Sequence, residues 1–184
     1  MPKPTLIVVD MQQAFDDPMW GERNNPDAEA NVARLLAAWR AAEAPIIHVR
    51  HRETDPEFHV FNEGDPGFEF KPEAIPLAGE PVVTKGVNSG FIGTDLEERL
   101  RGAGATTVVI TALTTDHCGS TTARMAGNLG FETWVVGDAC ATFDREGPDG
   151  EVFPADLIHR TALASLHDEF ADVISTDEAL SRLT

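Results

Sequence analysis

Thr5-Leu6-Ile7-Val8-Val9-Asp10 is an unbroken apolar run closed by a carboxylate. A strand with one wet face alternates apolar and polar residues. A continuous run of this kind belongs to a strand covered on both faces, as in a parallel sheet. The pattern recurs along the chain. Pro45-Ile46-Ile47-His48-Val49 reads as a second strand, and Pro81-Val82-Val83-Thr84 as a short third ending at Lys85. Residues 106–111 form a β-branched fourth, 131–136 a fifth, and Val173-Ile174 a short last strand. Helical periods fill the gaps. Asn25 is placed to cap a helix whose first turn holds Pro26 and whose apolar stripe is Val32, Leu35, Leu36 and Trp39. Thr94 is placed to cap a helix through Leu96 and Leu100 that stops near Gly102 and Gly104. Residues 118–129 read as a helix closed by Gly130, residues 154–170 as another, and a terminal helix starts at Thr176. Strand and helix alternate throughout, which predicts an α/β fold: a mainly parallel sheet of about six strands with helices on both faces. Residues 1–184 read as a single domain, without repeat or linker. Residues 50–80, rich in Pro, Gly, Asp and Glu, form a long irregular excursion placed to fold over a site.

Composition narrows the function. The chain has 184 residues, 42% of them hydrophobic, enough for a sizeable core. Its net charge of -17 would repel phosphate backbones and anionic membranes, so nucleic-acid and membrane partners are not expected. The apolar run after Met1-Pro2-Lys3-Pro4 is too short for a signal peptide or a spanning helix. Cys118 and Cys140 are too few for a disulfide framework. A cytoplasmic location is the expectation.

In open parallel sheets, ligands bind beyond the carboxyl ends of the strands. Asp10 closes the first strand, Lys85 closes the third, and Cys118 lies in the turn between the fourth strand and its helix. Their chemistry is complementary. A thiol becomes a strong nucleophile as thiolate. A helix N-terminus and a neighbouring ammonium favour that anion, whereas Asp10 and burial oppose it, and Cys118 is expected to react with iodoacetamide near neutral pH much faster than Cys140. A carboxylate can take the thiol proton and return it to a leaving group. Each residue alone has an ordinary structural reading. Their joint placement at strand ends predicts a site with Cys118 as nucleophile and Asp10 and Lys85 as partners.

The residues around these positions carry a resemblance. Val8-Val9-Asp10-Met11-Gln12, Lys85-Gly86-Val87-Asn88-Ser89-Gly90-Phe91 and Thr111-Ala112-Leu113-Thr114-Thr115-Asp116-His117-Cys118-Gly119-Ser120-Thr121-Thr122-Ala123-Arg124 resemble the isochorismatase-like cysteine hydrolases, relatives of nicotinamidases and N-carbamoylsarcosine amidases. The resemblance implies a three-layer α/β/α, Rossmann-like fold and an Asp10-Lys85-Cys118 catalytic triad. It also implies a cis peptide at Leu113-Thr114, an oxyanion hole from the N–H groups of Thr114 and Cys118, and a homo-oligomer. Gly119 departs from the aliphatic residue expected after the cysteine, which would leave the pocket floor roomier.

The expected reaction is hydrolysis of a C–N amide bond in a small molecule through a thioester. Two rivals belong to other classes: hydrolysis of a vinyl ether such as isochorismate, which needs an acid and no thiol, and a catalytically silent oligomeric binding module. The pocket is assigned to the aromatics Phe15 and Trp20 in the loop after Asp10, with Leu113 and His117 near the cysteine. His117 is also weighed as a general base, but sequence neighbours at a strand-helix turn rarely face one another. His48, Cys140 and the turn Gly147-Pro148-Asp149-Gly150 are read as structural. Nicotinamidases hold a metal with Asp-x-His and a further His. Here His51, Asp55 and His59 have a different spacing, and the expected reading is solvated loop residues with no metal and no cofactor. Exhaustive chelation is therefore expected to leave turnover unchanged; loss of activity that zinc or iron restores would contradict this.

Overall fold

The computed structural model describes residues 2–53, 55 and 59–183. A six-stranded parallel sheet has the order β3-β2-β1-β4-β5-β8. Its strands are β1 (Thr5–Val9), β2 (Ile46–His51), β3 (Val82–Lys85), β4 (Thr107–Ala112), β5 (Glu132–Val136) and β8 (Asp172–Ile174). All five residues of β1 are buried, as the apolar run predicts. The chain runs outward from β1 to β2 and β3, then returns to β4 on the other side of β1. The crevice at such a reversal opens at the carboxyl ends of β1 and β4. Register sets the neighbours there: Val9 lies opposite Val49 and Ala112, and His51 opposite Lys85.

Successive side chains of each strand feed opposite layers. Leu6, Val8 and Val109 pack with α1 (Ala28–Ala41) and α5 (Thr176–Arg182) through Val32, Leu35, Leu36, Trp39 and Ala179. Ile7, Val9, Val108 and Ile110 pack with α2 (Leu96–Gly102), α3 (Ser120–Asn128) and α4 (Ala155–Leu166) through Leu96, Leu100, Ala123, Ala126 and Leu166. The result is an α/β/α sandwich. Trp39 shows why its stripe is core: the ring is fully buried and its indole N–H donates to the Pro4 carbonyl at 2.8 Å. Among the described residues no helix is long and apolar enough to cross a membrane.

Several local readings are corrected. The helix read as starting near Asn25 begins at Ala28, with Asp27 before it. Asn25 instead has φ 44° and donates its side-chain amide to the carbonyls of Gly137 and Cys140. The helix near Thr94 begins at Leu96, though the Leu96 N–H still reaches the Thr94 hydroxyl at 3.4 Å. Cys118 falls in a π-turn, Thr115–Gly119, and α3 starts only at Ser120. Gly119 opens no space: a Cβ there would meet the Ala112 methyl at 2.9 Å and the Thr114 carbonyl at 3.0 Å. The Gly147–Gly150 turn belongs to a ribbon of β6 (Arg145–Glu146) and β7 (Val152–Phe153) that the sequence reading misses.

The excursion after β2 is pinned beside the crevice. Gln13 N–H donates to Glu69 O and Lys71 N–H to Met11 O, each at 2.9 Å. The buried Lys71 ammonium pairs with Asp16 and Glu29. At the opposite, amino end of the sheet the buried His48 meets Glu80 at 2.8 Å, and Arg40 grips the same carboxylate. Burial alone would raise the Glu80 carboxyl, but Arg40, the Leu77 N–H and His48 hold it down to about 2.

Candidate active site

Asp10 follows β1 with φ 53°, a left-handed conformation that Asp tolerates better than most residues. The turn sends its carboxylate into the sheet end. Lys85 closes β3, two strands away. Strands lie roughly 4.8 Å apart, so its long stem must cross the end of β2 to arrive. Its Nζ reaches 2.6 Å from Asp10 Oδ2 and 3.3 Å from Cys118 Sγ. Both charged side chains are wholly out of solvent. The sequence-predicted Asp10, Lys85 and Cys118 thus meet around one ammonium.

Asp10 and Cys118 face a cavity of about 160 Å³ whose lining also includes Phe15, Trp20, His51, Phe61, Asn88, Thr114, His117 and Arg145, with Lys85 buried behind it. Phe15, Trp20 and Phe61 form its apolar wall, with Phe15 centred 5.2 Å from each of the other two rings. The Leu113–Thr114 peptide is cis, and Thr114 follows it into the cavity lining. Of the expected pocket residues, Phe15, Trp20 and His117 take their places. Leu113 does not: its side chain is 0% exposed and packs in the layer beneath α1. Strand alternation carries it there, in step with Val109. His117 pairs with Asp116 at 3.4 Å, whereas the thiol meets Lys85, so the ring does not serve as the cysteine's partner.

Sequence reading missed Phe61, Asn88 and Arg145. Phe61 lies in the patternless excursion, and Arg145 on a two-residue strand too short to show alternation. Asn88 sits inside the Lys85 motif, and that proximity was the one available signal. Arg145 Nε donates to Asp116 Oδ2 at 3.0 Å. Burial would raise Asp116, but Arg145 and the Thr142 hydroxyl hold it below the usual carboxylate range. The solvated-loop reading of His51 is also corrected. It is the last residue of β2, half-buried, with Nδ1 3.4 Å from Lys85 Nζ. Asp55 is exposed, and the side chain of His59 lies outside the described residues. Among the described residues no three His, Cys, Asp or Glu group to hold a metal.

The charge state of the site differs from the sequence expectation. Cys118 is not a ready thiolate: burial first, then Asp10, push its thiol up to about 12, and Lys85 only partly offsets them. Burial would lower Lys85, but Asp10 and Cys118 hold it above its ordinary value, so it is an ammonium. One cation already has its counter-ion in Asp10, so a thiolate would add an uncompensated negative charge in a dry site. Cys140 is 1% exposed, accepts the Ala112 N–H at 3.2 Å, and is also pushed up to about 12 by burial.

The isochorismatase domain family matches residues 4–178. The isochorismatase family protein YrdC of Bacillus subtilis is 48% identical over 97% of this chain and 95% of its own length. An isochorismatase-family crystal structure from Chromobacterium violaceum superposes with a TM-score of 0.95 at 45% identity, covering 98% of this chain and 93% of that one. Maleamate amidohydrolase of Pseudomonas putida is 27% identical over 98% of this chain and 87% of its own length.

The buried thiol has a testable signature. Alkylation of Cys118 by iodoacetamide is expected to climb from about pH 7 to about pH 10 without levelling, because the rate follows the thiolate fraction. Asp10→Asn removes the charge that opposes the thiolate, so alkylation at about pH 8 should speed up by about tenfold or more. Cys140 should stay unmodified in the native protein. A plateau near neutral pH, or an Asp10→Asn variant no faster than wild type, would contradict the charge balance described.

Proposed function

This chain belongs to the isochorismatase family of hydrolases, and from that premise we propose that it is a cysteine amidohydrolase cleaving a C–N bond of a small amide. The observation that carries the reading is the Lys85 ammonium, buried between the Asp10 carboxylate at 2.6 Å and the Cys118 sulfur at 3.3 Å, both of which line the cavity. Proton transfer coupled to attack suits a thiol that burial keeps protonated. Cys118 Sγ attacks the amide carbonyl carbon as its proton passes to Asp10. The carbonyl π pair moves to oxygen, where the N–H groups of Thr114 and Cys118 receive it. As the C–N bond breaks, Asp10 returns the proton to nitrogen, and the amine leaves a thioester on Cys118. Asp10 then takes a proton from the attacking water and gives it back to the departing sulfur, releasing a carboxylic acid. Lys85 keeps its charge throughout and steadies whichever partner is negative.

The cavity favours small substrates. Ligand pockets usually span roughly 300–1,000 Å³, and this one is about 160 Å³. Its aromatic wall suits a flat apolar portion, while Asn88 and Arg145 offer polar groups to the rest. Maleamate amidohydrolase, a relative by sequence, is named for activity on a small amide, which supports the amide reading over the vinyl ether.

A panel of small primary amides, ureides and lactams, read by release of amine or ammonia, tests the proposal. Cys118→Ala is expected to lower turnover of any amide found by about 10³-fold or more while the fold persists. Asp10→Asn should lower it by about 10²–10⁴-fold. Wild-type turnover in Cys118→Ala would instead favour acid catalysis without a thiol.

A further inference from the structure

A lysine ammonium has three N–H donors and no acceptor. The Lys85 ammonium forms an ion pair with Asp10 Oδ2 at 2.6 Å and donates to Cys118 Sγ at 3.3 Å and to His51 Nδ1 at 3.4 Å. A donor on the lysine requires a lone pair on Nδ1, so the ring proton sits on Nε2 and the imidazole is neutral. Its surroundings agree. Burial and then Lys85 hold His51 below its ordinary value, against the opposite pull of Asp10 and of Glu53, whose Oε2 lies 3.7 Å from Nε2.

The fold takes care to place this ring. His51 and Lys85 are register partners on adjacent strands, so their side chains leave the sheet on the same face. The buried Gln12 grips the His51 backbone from both sides, accepting its N–H at 2.7 Å and donating to its carbonyl at 3.0 Å. Phe61 meets the ring edge-on at 5.2 Å. We propose that His51 is a positioning residue whose neutral Nδ1 takes the third N–H of Lys85 and so holds the ammonium between Asp10 and Cys118. Without it, the lysine head would be free to turn about its bond to Asp10, away from the sulfur. The inference rests on the reading of Lys85 as the partner of Cys118, and it assigns His51 no contact with reacting atoms.

Two substitutions separate this role from packing. His51→Asn keeps an acceptor near the Nδ1 position but loses the ring, whereas His51→Leu fills space and offers no acceptor. Alkylation of Cys118 by iodoacetamide at about pH 8 is expected to slow by about fivefold or more in His51→Leu and to be largely restored in His51→Asn. His51→Leu as fast as wild type, or His51→Asn no faster than His51→Leu, would overturn the proposal. Imidazole nitrogen NMR of the wild-type protein, with His51 assigned through its sequence-specific backbone connectivities, decides the matter even if both variants fail to fold. The expected state is a neutral ring protonated on Nε2; a proton on Nδ1 at neutral pH overturns the proposal. Neither measurement uses an amide substrate, so failure here and failure of the amidohydrolase reading are told apart.

Discussion

Lys85 carries its charge where water does not reach it, and the site is arranged around that fact. Stripping an ammonium of water costs several kcal/mol unless the protein returns the lost interactions. Asp10 returns most of them, in a salt bridge of two wholly buried side chains. The two residues come from strands separated by β2, so the pair also staples the carboxyl ends of β1 and β3 across it. Removing either partner would leave the other charge buried and alone, a loss of about 3–5 kcal/mol. The thiol joins this pair as a third, uncharged member. Its proton stays on sulfur because the thiol is buried and the cation beside it is already matched.

This balance alters how the nucleophile is pictured. A preformed thiolate would need a net positive surrounding, and here Asp10 cancels Lys85 before the sulfur is counted. In the proposed mechanism, the carboxylate that opposes the thiolate at rest is the group that collects its proton during attack, and the same residue then has a proton to hand to the leaving nitrogen. Keeping the site near neutral at each stage is what a dry pocket demands, since every uncompensated charge there is expensive.

Much of this was legible in the sequence, for identifiable reasons. Parallel strands buried on both faces announce themselves as unbroken apolar runs, and β1 through β5 were placed from them within a few residues. The meeting of Asp10, Lys85 and Cys118 followed because strand ends in such a sheet converge, a rule of topology that needs no contact information. What the sequence hid depends on distances between segments without pattern. Phe61 sits in the aperiodic excursion. Arg145 sits on a two-residue strand. His51 read as a loop residue because its strand runs two residues past the apolar stretch. Leu113 was placed in the pocket by proximity to Cys118, yet strand alternation turns it into the core. The charge of Cys118 was misjudged for a deeper reason: the groups for and against the thiolate can be named from sequence, but the extent of burial, the largest influence on it, cannot be weighed there.

The central claim is that Cys118 sulfur becomes covalently acylated. Intact-mass measurement of the protein quenched in acid during turnover of an amide, followed by peptide mapping, addresses it most directly. The account predicts an added mass equal to the acyl portion of the substrate, located on Cys118 and removed by hydroxylamine. Turnover under the same conditions with no acyl adduct at any quench time, and with Cys118→Ala still active, would contradict it.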